Sequence, residues 1–173
     1  MGVRIRDNNK IPQALKNIRE INRRKASVGY FGNDYDGGKI TAKGLARVHE
    51  FGIDIEVTPK MRAFFVYKFG IGLKESTTHI RIPERSFLRN GADEAIDDVL
   101  LKCKQIISRA ILGHMTAREF YEELGNTMAE EIKRYAIELE QPSNAPLTVE
   151  NKGFDDPLVE TGKMINSIEV IVK

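Results

Sequence analysis

The spacing of hydrophobic positions changes near residue 92. Before that point, short runs alternate apolar and polar residues, which is the period of a half-buried strand, and amphipathic segments with helical spacing separate them. After it, apolar residues recur every three or four positions over two long segments, which predicts helices. The pattern therefore predicts an α+β domain, in which a small mixed or antiparallel sheet packs against a long helical hairpin and shorter helices.

The first 91 residues are predicted to be rich in strands. We expect helices at 8–25 and 41–51, and strands at 1–7, 26–32, 53–57 and 77–82. Gly52 should end the second helix, because glycine readily takes the conformation that closes a helix. Thr58 and Pro59 fit the N-cap and first turn of a third helix, although the aromatic run 64–67 is equally typical of a strand.

The next segment, 92–140, is predicted to form the helical hairpin. Two amphipathic stretches are separated at Gly113, and Thr116 with Glu119 forms a capping-box pattern at the start of the second stretch. Because prolines interrupt regular structure, 141–160 is expected to be a loop or arm, followed by a short helical turn and a final strand at 161–173. The length predicts that residues 1–173 form a single domain.

The composition excludes several classes of protein. Hydrophobic residues make up 41% of the chain and charged residues 30%, as in folded proteins rather than disordered ones. No apolar run is long enough to cross a bilayer, and the N-terminal residues lack the apolar stretch of a signal peptide, so we expect no membrane partner. With a single cysteine, Cys103, no intramolecular disulfide can form, which favours a reducing cytoplasm.

The net charge of +2 conceals a division along the sequence. Residues 1–90 contain 18 Lys and Arg against 9 Asp and Glu, whereas residues 91–173 contain 9 against 16. The first part therefore carries +9 and the second −7. Such asymmetry is typical of a basic surface near DNA, or of complementary faces that meet when identical subunits pack head to tail. The simpler alternative is a solvated charged surface.

Residues that usually carry chemistry do not form a recognisable site. His49, His79 and His114 fall on different predicted elements without metal-ligand spacing, and Cys103 lies on an apolar helical stripe. The glycines match no phosphate-binding motif. We therefore predict no catalytic residue, no cofactor, no metal, no small-molecule substrate and no enzymatic activity. The remaining enzyme hypothesis is an unrecognised carboxylate site that includes Glu50, Glu130 and Glu131.

Four strings, in a fixed order, resemble a known family. They are Ala-Arg-Val-His-Glu-Phe-Gly at 46–52, Ile-Pro-Glu-Arg-Ser-Phe-Leu-Arg at 82–89, Asn-Ala-Pro-Leu-Thr at 144–148, and Pro-Leu-Val-Glu-Thr-Gly-Lys-Met-Ile-Asn-Ser-Ile at 157–168. Together they resemble the tail-completion and neck proteins of tailed bacteriophages, also called virion morphogenesis proteins. The resemblance runs from residue 46 to the end, and residues 1–45 match less distinctly.

The resemblance implies a structural virion protein without catalytic activity. Such a protein acts late in virion assembly, at the head-proximal end of the tail, in head-tail joining. The implied partners are other copies of the chain in a homo-oligomeric ring and other phage tail or neck proteins. The implied location is the tail or neck of the virion, assembled in the host cytoplasm. A basic and an acidic half would suit the heterologous interface of a ring.

The same strings supply candidate contact residues. Arg85 and Arg89 lie four positions apart around an apolar pair, and we expect their guanidinium groups to turn outward, where a neighbour's carboxylates could bind them. The alternative role for these strings, including a helix cap at Thr161, is maintenance of the fold. The proposed subunit or neighbour contacts are Arg85, Phe87, Arg89, His49, Glu50 and Thr161.

Basic residues of the first predicted helix form a second candidate surface. Facing a central channel, they could contact passing DNA through sequence-independent attraction to phosphate. Cations in the last turn also stabilise a helix, which is the simpler role for the run at 23–25. The residues proposed to face DNA are Lys16, Arg19, Arg23 and Arg24. The alternative function of the whole chain is a small nucleic-acid-binding module that uses this basic N-terminal half.

Overall fold

The structure, a computed structural model, describes residues 8–153, 155–158 and 162–173. Its helices are α1 (Ile11–Arg23), α2 (Ala42–Phe51), α3 (Pro59–Phe69), α4 (Phe87–Glu94), α5 (Ile96–Ile111), α6 (Ala117–Glu138), α7 (Pro146–Lys152) and α8 (Lys163–Asn166). Its strands are β1 (Ala26–Gly29), β2 (Tyr35–Asp36), β3 (Lys39–Ile40), β4 (Ile53–Glu56), β5 (His79–Ile82) and β6 (Glu169–Val172). The predicted strand at 1–7 and the candidate contact Thr161 lie outside the described residues.

The described strands pair in three short antiparallel ribbons. β1 pairs with the C-terminal β6, with Ala26 opposite Val172 and Gly29 opposite Glu169. β2 pairs with β3, and β4 pairs with β5. The predicted α+β class is confirmed, and the strands are divided among three two-stranded ribbons that pack with helices.

A first core surrounds Phe87, whose side chain is fully buried at the start of α4. Helix α6 lies against both strands of the β1–β6 ribbon. Gly125 permits this close approach, because a Cβ at that position would lie 2.4 Å from Cγ1 of Val170. The other buried residues of this core are Ala46, Ala129, Ile132, Ala136, Leu158, Met164, Ile165 and Ile168.

A second core lies between α1, α5 and α6. Its buried residues are Ile21, Ile106, Ala110, Met115 and Phe120. Cys103 packs against them as a small hydrophobic residue. The predicted hairpin of two long helices is confirmed, and the backbone N–H groups of Thr116 and Glu119 donate to each other's side chains as the capping box requires. Because α6 contributes to both cores, it links the strand-containing part to the helical part.

The segment predicted as a loop or arm contains a helix. α7 begins at Pro146 and is closed by Gly153 in the left-handed conformation. A proline is compatible with the first turn of a helix, where its missing N–H is not needed, so the prolines alone did not exclude a helix. The residues before α7 are fastened to the body of the protein by Arg85.

Candidate functional site

Glu50 lies where the first two strings meet. It belongs to the last turn of α2, and it is only 3% exposed. Its Oε2 accepts from the backbone N–H of Leu88 at 2.9 Å, and its Oε1 accepts from that of Arg89 at 3.1 Å. These groups belong to the first turn of α4, where an anion is favoured because the N–H groups have no helical partner. Glu50 therefore caps α4 from a different helix.

Arg89 neutralises this buried carboxylate. Its Nε donates to Glu50 Oε1 at 2.9 Å, and its Nη2 donates to Glu84 Oε1 at 2.6 Å. The hydrogen bond with Glu50 raises the pKa of Arg89, while hydrogen bonds from Ser86 and Arg89 lower the pKa of Glu84. The guanidinium also lies 5.1 Å from the ring centroid of Phe51. The side chain is half exposed, so the expected outward orientation of Arg89 holds only in part.

The expected outward orientation of Arg85 is wrong, because this residue is only 4% exposed. Its Nε donates to the carbonyl of Pro142 at 2.8 Å and its Nη2 to the carbonyl of Ser143 at 2.9 Å. Burial lowers the pKa of Arg85. A buried guanidinium needs several acceptors, and the non-helical backbone at 142–143 supplies them. Arg85 therefore fastens this segment and is not presented to a neighbour's carboxylates.

His49 and Phe87 also have roles inside the fold. The carbonyl of His49 accepts from the backbone N–H of Arg85 at 2.7 Å, and His49 Nδ1 lies 3.3 Å from Arg85 Nη1. Because a guanidinium only donates, Nδ1 acts here as the acceptor. Phe87 and Glu50 are buried and not available to a neighbouring subunit, which corrects their assignment as contacts. Phe87 fills the core, and Glu50 caps α4.

The crossing of the first two strings also requires Gly52. Its φ of 65° is unfavourable for other residues, and a Cβ would lie 2.8 Å from the backbone nitrogen of Glu84. The end of α2 can therefore pass directly against the residues that follow β5. The glycine predicted as a helix stop serves this close approach as well.

The two later strings meet the same region. The backbone N–H of Asn144 donates to Asp155 Oδ1 at 2.8 Å, and its side-chain Oδ1 lies 3.4 Å from Arg85 Nη2. Tyr30 donates to the carbonyl of Met164 at 2.8 Å, and burial raises the pKa of that phenol. The apolar residues of the last string that pack in the core with Phe87 are Leu158, Met164, Ile165 and Ile168. The first, second and fourth strings therefore share one core, and the third string reaches it through the contact of Asn144 with Arg85.

Helix α3 is an exposed feature that the sequence indicated only partly. Thr58 Oγ1 accepts from the backbone N–H of Met61, which confirms the helix over the strand interpretation. Within the described structure, no residue of α3 is buried. Arg62 donates to four carbonyl groups of the loop after the helix, and Phe64, Phe65 and Phe69 contact one another. These contacts hold α3 as a unit between β4 and β5.

The outer side of α3 combines aromatic rings with positive charge. Tyr67 is 90% exposed and Phe64 is 52% exposed, and the two lie one turn apart. Lys60 and Lys68 are exposed on the same side, at helical spacing from these rings. We call these four residues the aromatic face. Apolar and basic residues occur on every side of α3, so the hydrophobic pattern of the sequence did not show which side of the helix faces outward.

The basic residues of α1 lie partly together. Lys16, Arg19 and Arg23 are exposed and follow one another at intervals of three and four, which places them on one side of the helix. Arg23 Nη1 lies 3.7 Å from Glu20 Oε1. Arg24 is partly buried beyond the end of the helix, and its backbone N–H donates to the carbonyl of Ile21. Three of the four residues proposed to face DNA thus share one surface.

Side chains that could ligate a metal do not cluster in the part of the chain that is described. No group of three or more His, Cys, Asp or Glu side chains there is placed to hold a metal ion. Two carboxylates of the hypothetical enzyme site already accept hydrogen bonds within the fold. Glu50 accepts from the backbone N–H of Leu88 in α4, and Glu131 accepts from Arg134 Nε at 2.9 Å. The three histidines lie on α2, on β5 and between α5 and α6.

Among the described helices, none combines the length and the apolar composition needed to span a membrane. No family model, no curated protein and no solved structure matches the chain. The resemblance to phage tail-completion proteins therefore rests on the four sequence strings alone.

Proposed function

We propose that this chain is a structural subunit in the neck of a tailed bacteriophage, where copies form a ring that completes the tail and joins it to the head. The observation that carries the proposal is the aromatic face of α3. Exposed apolar patches on soluble proteins mark interaction surfaces, and aromatic residues are enriched at interface cores. The four strings supply the choice of family, and their convergence on one region supports treating them as one signature.

The proposed role is geometric and needs no catalytic group. The contacts of Glu50, Arg85 and Arg89 fix α2, α4 and the segment at 142–144 relative to one another. A centre joined by these contacts is suited to hold outer surfaces at constant angles. Constant angles are what a closed ring of identical subunits requires, because a heterologous contact that does not close gives an open filament.

The test is inactivation of the gene in the phage that encodes it. We expect lysates to contain DNA-filled heads and complete tails that are not joined, visible by electron microscopy. Addition of the purified chain should then restore infectious particles. A chain with Phe64→Ser and Tyr67→Ser should fold but fail to restore them, whereas the matched control Lys74→Ser should succeed, because that exposed residue lies outside the aromatic face. Normal joined particles from the inactivated phage would refute the proposal.

Non-specific nucleic-acid binding is a second candidate function, favoured by the exposed row Lys16, Arg19 and Arg23. Its mechanism would be release of counterions from phosphates, so binding should weaken steeply with salt. Lys16→Glu with Arg19→Glu should weaken binding to any DNA sequence and reduce the salt dependence by about one counterion per residue. Absence of retention on DNA at low salt would exclude this function.

A further inference from the structure

A second exposed surface complements the aromatic face in charge. At the junction of α4 and α5, four carboxylates stand among apolar side chains, with Ile96, Leu100 and Leu101 about half exposed. Residues 93–101 carry a net charge of −4, whereas the aromatic face carries +2 from Lys60 and Lys68. Arg62, the third cation of α3, is partly buried against the loop that follows the helix. We call this second surface the acidic patch; its charged members are Asp93, Glu94, Asp97 and Asp98.

The signs of these charges decide which surfaces can meet. Pairing of two α3 helices would place lysines against lysines, and pairing of two acidic patches would place carboxylates against carboxylates. Like charges opposed across an interface are strongly unfavourable. Contact between the aromatic face and the acidic patch opposes unlike charges and covers apolar surface on both sides.

We infer that the aromatic face of one copy docks on the acidic patch of a second copy, head to tail. This inference rests on the proposed function, because it names the contact that builds the ring. Phe64 and Tyr67 pack on Leu100 and Leu101, while the two lysines of the face approach the carboxylates that flank them. Since the two surfaces differ, each copy retains one unused surface after pairing, so the contact propagates until the ring closes.

The test uses two variants that each disable one surface. The face variant is Lys60→Glu with Lys68→Glu, and the patch variant is Asp97→Lys with Asp98→Lys. Each alone should weaken self-association by roughly 100-fold or more, measured by light scattering, because the new charges repel those opposite. Matched controls change the same charges at exposed positions elsewhere: Lys39→Glu with Lys74→Glu, and Asp36→Lys with Glu140→Lys.

Mixing the two variants provides the decisive observation. The face variant retains an intact patch and the patch variant an intact face, and the reversed face and reversed patch are again opposite in charge, so an equal mixture should regain assembly with the two variants alternating. A chain carrying both pairs of reversals should assemble again, because the opposite charges are restored. Leu100→Gln with Leu101→Gln should also prevent assembly, and it leaves the acidic first turn of α5 unchanged. Far-ultraviolet circular dichroism checks that each variant is folded.

The outcomes separate this contact from the proposed function. If the unmodified chain forms rings and both charge variants still do, the docking inference is overturned, while the role in the neck stands on the head-tail joining test. If the unmodified chain remains monomeric at every concentration at low salt, the docking inference is overturned together with ring formation, and the head-tail joining test decides the role in the neck separately. If the mixture gives only monomers, the two surfaces do not meet.

Discussion

Burial of a carboxylate costs free energy unless hydrogen-bond donors compensate its charge, and both carboxylate oxygens of Glu50 accept hydrogen bonds. Two backbone N–H groups of α4 and the guanidinium of Arg89 reach it. The negative charge also contributes to the raised pKa of Tyr30, after the larger effect of burial. Glu50 is thus a fixed electrostatic centre that ties α2 to α4.

Glu50→Gln should lower the free energy of unfolding by about 2 kcal/mol, because an amide NH₂ replaces an acceptor oxygen that faces donors. Chemical denaturation at neutral pH measures this loss. The matched control is Glu84→Gln, which alters the exposed carboxylate on the same arginine and should have a smaller effect. Equal effects of the two substitutions would contradict the assignment of Glu50 as the cap of α4.

Arg85→Lys should loosen the segment at 142–144, since one ammonium group cannot reproduce the fork that reaches two carbonyls. We expect a loss of about 1–3 kcal/mol in unfolding free energy and faster chymotrypsin cleavage within 141–156. Arg81→Lys, at an exposed position of β5, is the control and should change neither measurement. Unchanged cleavage in the Arg85 variant would show that another contact holds the segment.

Arg85 also shows the limit of local sequence reasoning. Arginines are rarely buried, so an outward guanidinium is the default expectation from its neighbours in sequence. Its acceptors lie 57 and 58 residues away, in a segment that the prolines marked only as irregular. The strings pointed to residues that matter for the fold. Their roles depend on contacts with distant segments, which the spacing within a string could not predict.

Helix ends were more predictable than helix faces. The caps at Thr58 and Thr116 and the stop at Gly52 depend on residues a few positions apart, and the structure confirms them. Which side of each helix is buried depends on distant partners. In α2, for example, the apolar residues Leu45 and Phe51 are exposed while Glu50 is buried, because α4 meets the helix on the side of Glu50.

Gly125 is a test of packing between α6 and β6. Gly125→Ala improves helix propensity but places a methyl group against Val170, so we expect a net loss of about 1–3 kcal/mol. Val170→Ala in the same chain should recover part of this loss, which a double-mutant cycle by urea denaturation would reveal. Additive losses, within about 0.5 kcal/mol, would contradict the close approach.

The capping box of α6 predicts a dependence on pH. The backbone N–H of Thr116 lowers the pKa of Glu119. An unfolded glutamate has a pKa near 4.3, so the charge stabilises the fold above about pH 4.3, and this stability is lost as the pH falls through the lowered pKa of the folded state. Glu119→Gln should therefore be less stable than the unmodified chain at pH 7, but not at about pH 2.5.

Urea denaturation at both pH values measures that difference. Glu130→Gln, at an exposed position of the same helix, serves as the control for the loss of one carboxylate. A stability difference for the Glu119 variant that is the same at neutral and acidic pH would contradict an electrostatic contribution from the cap.

At the scale of the whole molecule, the division of charge along the sequence becomes a division between surfaces. Lys16, Arg19 and Arg23 of α1, the two lysines of the aromatic face and the carboxylates at the junction of α4 and α5 are exposed. The composition predicted this asymmetry. Only the fold shows which charged residues neutralise one another, as Glu50 and Arg89 do, and which are left exposed. The proposed self-assembly rests on this division between surfaces.

The most direct measurement is the mass of the purified chain in solution, by light scattering, with negative-stain images of the same samples across concentration and salt series. We predict a closed ring whose mass is a whole multiple of 19.6 kDa at low salt. Its mass should fall as salt approaches about 1 M, where the screening length shortens to about 3 Å. A monomer at every concentration and salt, or filaments that never close, would contradict a ring-forming neck subunit.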